Sequence, residues 1–225
     1  MLENVNAVLF DLDGTLVDSM GIWKEVDEEF LTGRGIQIPE NLEEFQREIE
    51  GMGFTETAAF FKERFALPDS LETIKSIWVS MAEDKYCHEI SLKKGVREFL
   101  VYLKENHIPA AICSSNSREL IKLVLDAHSI GEYFSAVTTC CEVPQGKPSP
   151  DVYLKAASSL SKNPEECLVF EDVPMGILAG KNAGMKVCAV EDDFSAAQAG
   201  RKRQLADYYI HDYRQILDCT YEVLI

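Results

Sequence analysis

The sequence predicts an α/β fold: a Rossmann-like parallel sheet with helices on both faces, into which an all-helical cap is inserted. Three observations carry this. A short apolar run, Val8-Leu9-Phe10, meets two carboxylates, Asp11 and Asp13, and reads as a buried parallel strand followed by a turn. From Lys94-Gly95 onward, apolar runs alternate with helical patterns, as βαβ units do. Between about Val17 and Ile90 no strand pattern occurs.

The elements follow in order. The first strand climbs from Asn6 to Phe10. Met20, Trp23, Val26 and Phe30-Leu31 then recur at helical spacing, and Gly33-Arg34-Gly35 ends that helix. Pro39-Glu40-Asn41 opens a second helix through Leu42, Phe45 and Ile49, broken at Gly51-Met52-Gly53. A third runs from about Thr55 to Phe65, and a fourth carries Leu71, Ile74, Trp78 and Met81 on one face. Past Gly95, a helix near Val96–Glu105 leads into a strand ending at Ser114. Asn116 and Glu119 resemble a helix N-cap and its partner three residues on. A short strand at Ala136–Thr139 precedes the loop Gly146-Lys147-Pro148-Ser149-Pro150, where Ser149 reads as an N-cap and Pro150 as the first helical residue. Cys167–Phe170 is a strand ending in Glu171-Asp172, and the helix Pro174–Ala183 stops at the cap glycine Gly184. Strands at Lys186–Val190 and Tyr208–Ile210, with helices near Ala196–Gln204 and Arg214–Leu217, complete the chain. The expected core is residues 1–16 and 91–225, and the cap is residues 17–90.

The chain has 225 residues, 46% of them hydrophobic, so it is expected to fold as a soluble globular protein. Its formal net charge of −16 repels nucleic acid and anionic membranes, and neither is an expected partner. No apolar run reaches the roughly 18 residues of a membrane span. The N-terminus carries acid and enters a strand at once, unlike a signal peptide. Seven cysteines, without a C-x-x-C pair, suggest reduced thiols and a cytoplasmic location. A monomer or weak homo-oligomer is expected.

Parallel sheets collect ligands at the carboxyl ends of their strands. There this sequence places Asp11 and Asp13, then Ser114, Ser115 and Asn116, then Lys147, then Glu171 and Asp172. Several carboxylates in one crevice need a counter-charge, and hard Mg²⁺ suits carboxylate and carbonyl oxygens. Asp11 and Asp172, with Glu171 as a further candidate, could bind one Mg²⁺, and Lys147 would balance the remaining charge. Ser114 and nearby N–H groups could hold phosphate oxygens. A carboxylate can attack phosphorus, and a second can protonate the leaving alkoxide and then activate water. Asp13 points to the same side as Asp11 if the strand geometry persists past Phe10. Singly, each residue reads more plainly: Asp172 as a helix cap, Lys147 as a solvated loop lysine, Ser114 as a turn hydroxyl. Asp18-Ser19 reads as an N-cap region, Glu191-Asp192-Asp193 as a solvated loop, and Trp23 as cap core. The order and spacing together are far more specific than any member.

The stretches Asp11–Ser19, Ser114, Gly146–Asp151 and Glu171–Ile177 resemble the four motifs of the haloacid dehalogenase-like hydrolase superfamily, and the inserted helices resemble its helical cap class. The paired aspartates are its phosphotransferase form. The resemblance implies Asp11 as nucleophile and Mg²⁺ ligand. It implies Asp13 as general acid/base, with its carbonyl also on the metal. Ser114 and Lys147 then contact the phosphoryl group, Asp172 and Glu171 bind the metal, and Ser115 and Asn116 contact phosphate or substrate. Within the superfamily the chain is similar to the β-phosphoglucomutases and related sugar-phosphate phosphatases. Where the mutases carry a histidine, an arginine and a lysine in the cap, Trp23, Phe54 and a position near Ala82 stand here. The resemblance therefore implies a Mg²⁺-dependent phosphatase acting on a small phosphorylated metabolite, with a phosphosugar mutase as the alternative.

Overall fold

The computed structural model describes residues 1–39 and 42–224. The elements run β1 (Ala7–Phe10), α1 (Met20–Thr32), α2 (Leu42–Ile49), α3 (Phe54–Arg64), α4 (Leu71–His88), α5 (Val96–Glu105), β2 (Ala110–Ser114) and α6 (Arg118–Ala127). They continue with β3 (Phe134–Thr139), α7 (Asp151–Ser159), β4 (Cys167–Glu171), α8 (Pro174–Asn182), β5 (Lys186–Val190), α9 (Ala199–Leu205), β6 (Tyr208–Ile210), α10 (Arg214–Leu217) and β7 (Glu222–Val223). The expected opening of the second helix at Glu40-Asn41 lies outside the described residues.

The sheet order is β3-β2-β1-β4-β5-β6-β7, parallel from β3 to β6, with β7 antiparallel at the edge. β1 sits at the centre because it is apolar on both sides. Val8 and Phe10 join the packing under α5, α6 and α10, while Ala7 and Leu9 join that under α7 and α8. Period-two alternation in a strand buried on both faces produces this split. Phe10 stacks on Phe170 at 5.2 Å and meets the edge of Phe99 at 6.1 Å, tying β1, β4 and α5 together. The sheet order reverses at β1, where the next strands go to opposite sides, so its carboxyl end opens on the crevice.

The inserted helices α1–α4 form their own aromatic core, in which Trp78 meets Phe30 at 5.4 Å and Phe61 at 4.9 Å. Two linkers join them to the sheet side by side: Asp18 N donates to Ser91 O at 3.0 Å, and Lys93 N donates to Leu16 O at 2.9 Å.

Several local expectations need correction. The cap of α6 is Ser117, whose Oγ accepts from Leu120 N at 3.3 Å; Asn116 turns its side chain elsewhere. Helix α7 begins one residue later than expected, with Pro150 at the N-cap position. Helix α9 starts at Ala199, after a separate 3-10 turn at Ala196–Gln198. Ser19 occupies the N-cap position of α1 but makes no capping bond, its hydroxyl being drawn to Asp13. Asp192 is not solvated: it is buried against Lys93 at 2.7 Å, beside the second linker. β7, two residues long, has too short a pattern to be read from sequence. Among the described residues, no helix is long and apolar enough to cross a membrane.

Candidate active site

Asp11 leaves the end of β1, where its N–H donates to Phe170 O at 3.0 Å. Lys147 reaches the same point from the loop after β3, and its Nζ lies 2.6 Å from both Asp11 Oδ1 and Glu171 Oε1. Glu171 closes β4 fully buried; its Oε1 also accepts from the Tyr153 hydroxyl, and its Oε2 from Asp172 N at 3.2 Å. Asp172 follows, with Oδ1 accepting from Thr15 Oγ1 at 2.8 Å. Two glycines make room. A Cβ on Gly14 would overlap the Asp172 carboxylate, and one on Gly176 would overlap that of Glu171.

The cluster is short of positive charge. Asp11, Glu171 and Asp172 each offer an oxygen, all within 4.8 Å of one another, and among the described residues Lys147 is the ammonium paired directly with two of them. Burial pushes the Asp11 carboxyl up to about 8; Lys147 pulls against this, while Glu171 and Asp13 add to it. Burial likewise drives Asp172 well above the usual carboxylate range, with Asp11, Glu171 and Asp192 adding repulsion. Burial opposes the charge of Lys147, but Asp11 and Glu171 overcome it and hold the ammonium well above its ordinary value. Asp172 Oδ2 is buried with no hydrogen-bond partner. An orphaned carboxylate oxygen facing two further acids fits a hard divalent cation, which would supply both the missing ligand and the missing charge.

Asp13 is held apart from this cluster. β1 stops at Phe10 and the chain coils, Leu16 N donating to Leu12 O at 2.8 Å, so the strand geometry does not persist to Asp13. Its Oδ1 accepts from Ser19 Oγ at 2.6 Å and from the Tyr86 hydroxyl, and its Oδ2 accepts from Asn116 Nδ2 at 2.9 Å. Tyr86 Oη in turn accepts from Trp23 Nε1 at 2.7 Å and from Asn116 Nδ2 at 2.9 Å. Indole and amide N–H groups only donate, so the Tyr86 proton is committed to Asp13. A helix of the cap thus aims the carboxylate. Burial, and then the charge of Asp13, raise the Tyr86 phenol well above its ordinary value. Tyr86→Phe is expected to cost about 1–2 kcal/mol of stability and to lower kcat about tenfold, roughly the worth of one buried hydrogen bond. Chemical denaturation and steady-state kinetics check this; an unchanged kcat would leave Tyr86 a packing residue.

A cavity of about 500 Å³ joins these groups to the cap. Asp11, Asp13, Ser114, Ser115, Asn116, Lys147, Glu171 and Asp172 all line it, so the structure brings every candidate site residue to one crevice. Ser114 Oγ accepts from Asn116 N at 3.0 Å and keeps its proton to donate. Ser115 is drawn toward the cap: its Oγ donates to Gly51 O at 3.3 Å, and its carbonyl accepts from Phe54 N at 2.8 Å. Trp23 packs against the cap core, as expected, and also lines the cavity, whereas Ala82 is wholly buried away from it. Tyr86, one turn after Ala82, is the residue of α4 that reaches the chemistry, and helical periodicity alone marked neither it nor Ser19. Asp27, Arg47 and Trp78 also line the cap side.

Fold and site together define a protein with a Rossmann-like parallel sheet and an acidic crevice beneath a helical cap. The chain belongs to the haloacid dehalogenase-like hydrolase family, whose sequence model matches residues 8–190. It is 35% identical over 188 residues to a bifunctional riboflavin kinase/FMN phosphatase of Arabidopsis thaliana, across 82% of this chain and 48% of that protein. The chain thus spans about half the length of that relative. It is 29% identical over 182 residues to a phosphorylated carbohydrates phosphatase of Thermotoga maritima, across 81% of this chain and 83% of that one. Its fold matches that of CbbY from Rhodobacter sphaeroides with a TM-score of 0.82 at 23% identity, covering 94% of this chain and 96% of the other.

Proposed function

We propose that this phosphatase of the haloacid dehalogenase-like family hydrolyses a small phosphomonoester, a sugar phosphate or similar metabolite, through an aspartyl-phosphate at Asp11, with Mg²⁺ as cofactor. One observation carries the reading: three buried carboxylates meet a single lysine on the floor of a capped cavity, while Asp13 is held separately at its edge. The names of the phosphatase relatives support it.

The roles follow from position. The Asp11 carboxylate attacks phosphorus, and the bond to the leaving oxygen breaks. Asp13 gives that oxygen a proton and afterwards takes one from the water that hydrolyses the aspartyl-phosphate. Lys147 reduces the repulsion between carboxylate and phosphate, and Ser114 donates to a phosphoryl oxygen. Mg²⁺, held by Asp11, Asp172, Glu171 and the Asp13 carbonyl, would neutralise the charge that carboxylate and phosphate bring together. Ser115 and Asn116 serve substrate binding by joining the sheet to the cap and to Asp13. Residues 1–16 and 91–225 act as the core, and residues 17–90 as the cap, divided at the paired linkers. All seven cysteines are free, which suits a reducing cytoplasm.

A mutase must grip a second, non-reacting phosphate. The cap positions at Trp23 and Phe54 present ring surface instead, their centroids 5.9 Å apart. Hydrolysis is therefore the stronger reading. The test is phosphate release from a panel of sugar phosphates, nucleotides and other phosphomonoesters with Mg²⁺. At least one member is expected to turn over. Silence across the panel from folded, Mg²⁺-supplied protein would defeat the reading. Conversion of β-glucose 1-phosphate to glucose 6-phosphate, stimulated by a bisphosphate, would establish the mutase.

A further inference from the structure

Asp172 is tied at every polar atom but one. Its N–H donates to Glu171 Oε2 at 3.2 Å, its Oδ1 accepts from Thr15 Oγ1 at 2.8 Å, and its carbonyl accepts from Ser195 Oγ at 2.8 Å. Oδ2 is buried without a partner. Three bonds therefore fix the residue and leave its carboxylate one oxygen to give a cation.

The bond from Ser195 belongs to a longer chain. Ser195 lies in the loop after β5, is 2% exposed and lines the cavity. The loop is anchored at its start, where Asp192 accepts from Phe194 N at 2.9 Å and pairs with Lys93 Nζ at 2.7 Å. Lys202, on α9, is fully buried, and its Nζ donates to Ser195 Oγ at 2.8 Å and to Val190 O at 3.0 Å. Carbonyl oxygens only accept, so the single Ser195 proton goes to Asp172 O, Asp192 O being more distant at 3.5 Å, and a Ser195 lone pair takes the Lys202 N–H. The bonds thus run one way, from Lys202 through Ser195 to the backbone of Asp172.

Packing alone does not account for this lysine. Among the described residues it makes no direct ion pair; its Nζ has two neutral oxygens and, at 5.8 Å, the centroid of the Tyr209 ring. An ammonium in such a place costs free energy that an unbranched apolar side chain of similar length would not. Burial lowers its pKa, and Asp172 and then Asp192 work against that shift. Metal ligands are ordinarily oriented by the groups behind them, and those groups set the affinity.

We propose that Ser195 and Lys202 are positioning residues for the cation: their chain of hydrogen bonds holds the main chain of Asp172 so that its unpartnered oxygen is set for Mg²⁺ before the ion arrives. This rests on the Mg²⁺ reading of the crevice and is independent of which phosphomonoester is hydrolysed.

The test is calorimetric titration of the metal-free protein with Mg²⁺, without substrate. Ser195→Ala is expected to raise the Kd for Mg²⁺ about tenfold, and Ser195→Thr, which keeps a hydroxyl, to stay within about threefold of the wild type. Lys202→Met separates the chain from the charge. The ammonium acts on the ion through space whether or not Ser195 is present, so that contribution cancels in a double-mutant cycle. Lys202→Met should weaken Mg²⁺ binding about threefold more in the wild-type background than in Ser195→Ala, where the chain is already cut. Melting temperatures of the metal-free proteins report any general loss of packing. A Kd unmoved in Ser195→Ala, whatever its melting temperature, overturns the proposal. So does a Kd raised equally in Ser195→Ala and Ser195→Thr, or strict additivity in the cycle. If Mg²⁺ binds and the coupling is found while no phosphate is released from any substrate, the positioning role stands and the phosphatase reading fails. If the wild-type protein binds no Mg²⁺, the cation site and its positioning residues fail together.

Discussion

Asp11→Asn is expected to lower kcat by at least about 10⁴-fold, because it removes the attacking atom itself. Trapping experiments with labelled substrate should then find no acid-stable, hydroxylamine-sensitive phosphoenzyme, whereas the wild-type protein should show one. The fold should survive. Lys147 keeps Glu171 as an anionic partner at 2.6 Å, and the cluster loses one of three mutually repelling carboxylates. The Asp11 carboxyl is raised to about 8 in the folded protein, chiefly by burial, so its ionisation opposes folding as pH rises toward that value. Metal-free Asp11→Asn should therefore melt no lower than the metal-free wild type at pH 8. A folded variant with activity within about tenfold of the wild type would remove Asp11 as the nucleophile.

Removal of the divalent cation should have the next largest effect. EDTA is expected to reduce turnover by about 10³-fold or more, with recovery on adding Mg²⁺, since a Lewis acid at a phosphoryl centre contributes several kcal/mol. The same treatment should reveal a pH-dependent change in stability. Asp11 and Asp172 both bind protons more tightly folded than unfolded. Without the cation, their contribution to stability is fully present below the ordinary carboxylate pKa. It is lost as pH rises through about 8, the folded value of Asp11. A cation replaces those protons, so its stabilising effect should grow across the same window. Near saturation, at about 100 times Kd, about 2.7 kcal/mol is expected, or roughly 5–10 °C in melting temperature for a chain of this size. Melting curves with and without Mg²⁺ at pH 5 and pH 8 check this. A Mg²⁺ shift larger at pH 5 than at pH 8 would place the cation elsewhere.

Much of the floor of this site was legible from sequence for a local reason. In a parallel sheet the residue just past an apolar strand must emerge at one edge, so Asp11, Ser114 and Glu171-Asp172 were assigned to a common crevice from strand ends alone. Lys147 was placed there by the same rule, as part of the loop that follows the third strand, although a loop lysine has no period to read. The cap was harder. Periodicity marked Trp23 as apolar-face, but it could not show that this face turns toward the cavity or that Nε1 would meet Tyr86. Ala82 and Tyr86 lie on the same face of α4 and both are buried, but only Tyr86, one turn on, hydrogen-bonds Asp13. Asn116 read as a helix cap because the cap and the contact with Asp13 use the same amide chemistry; the neighbouring Ser117 took the cap. Asp192 read as solvated because its counter-ion, Lys93, lies 99 residues away in sequence.

The sequence by itself determined the α/β core with its helical insertion, the order of the site residues and the pairing of two aspartates just past the first strand. These depend on periodicity and spacing along one chain, which local sterics and burial dictate. Only the tertiary structure decided where Asp13 points, that Tyr86 and Ser19 aim it, that Asp172 keeps an unpartnered oxygen, and that Trp78 and Asp27 share a cavity. Each depends on side chains from distant segments meeting in low dielectric. There an unpaired donor or charge is costly, and the only available partners are those the fold brings within reach.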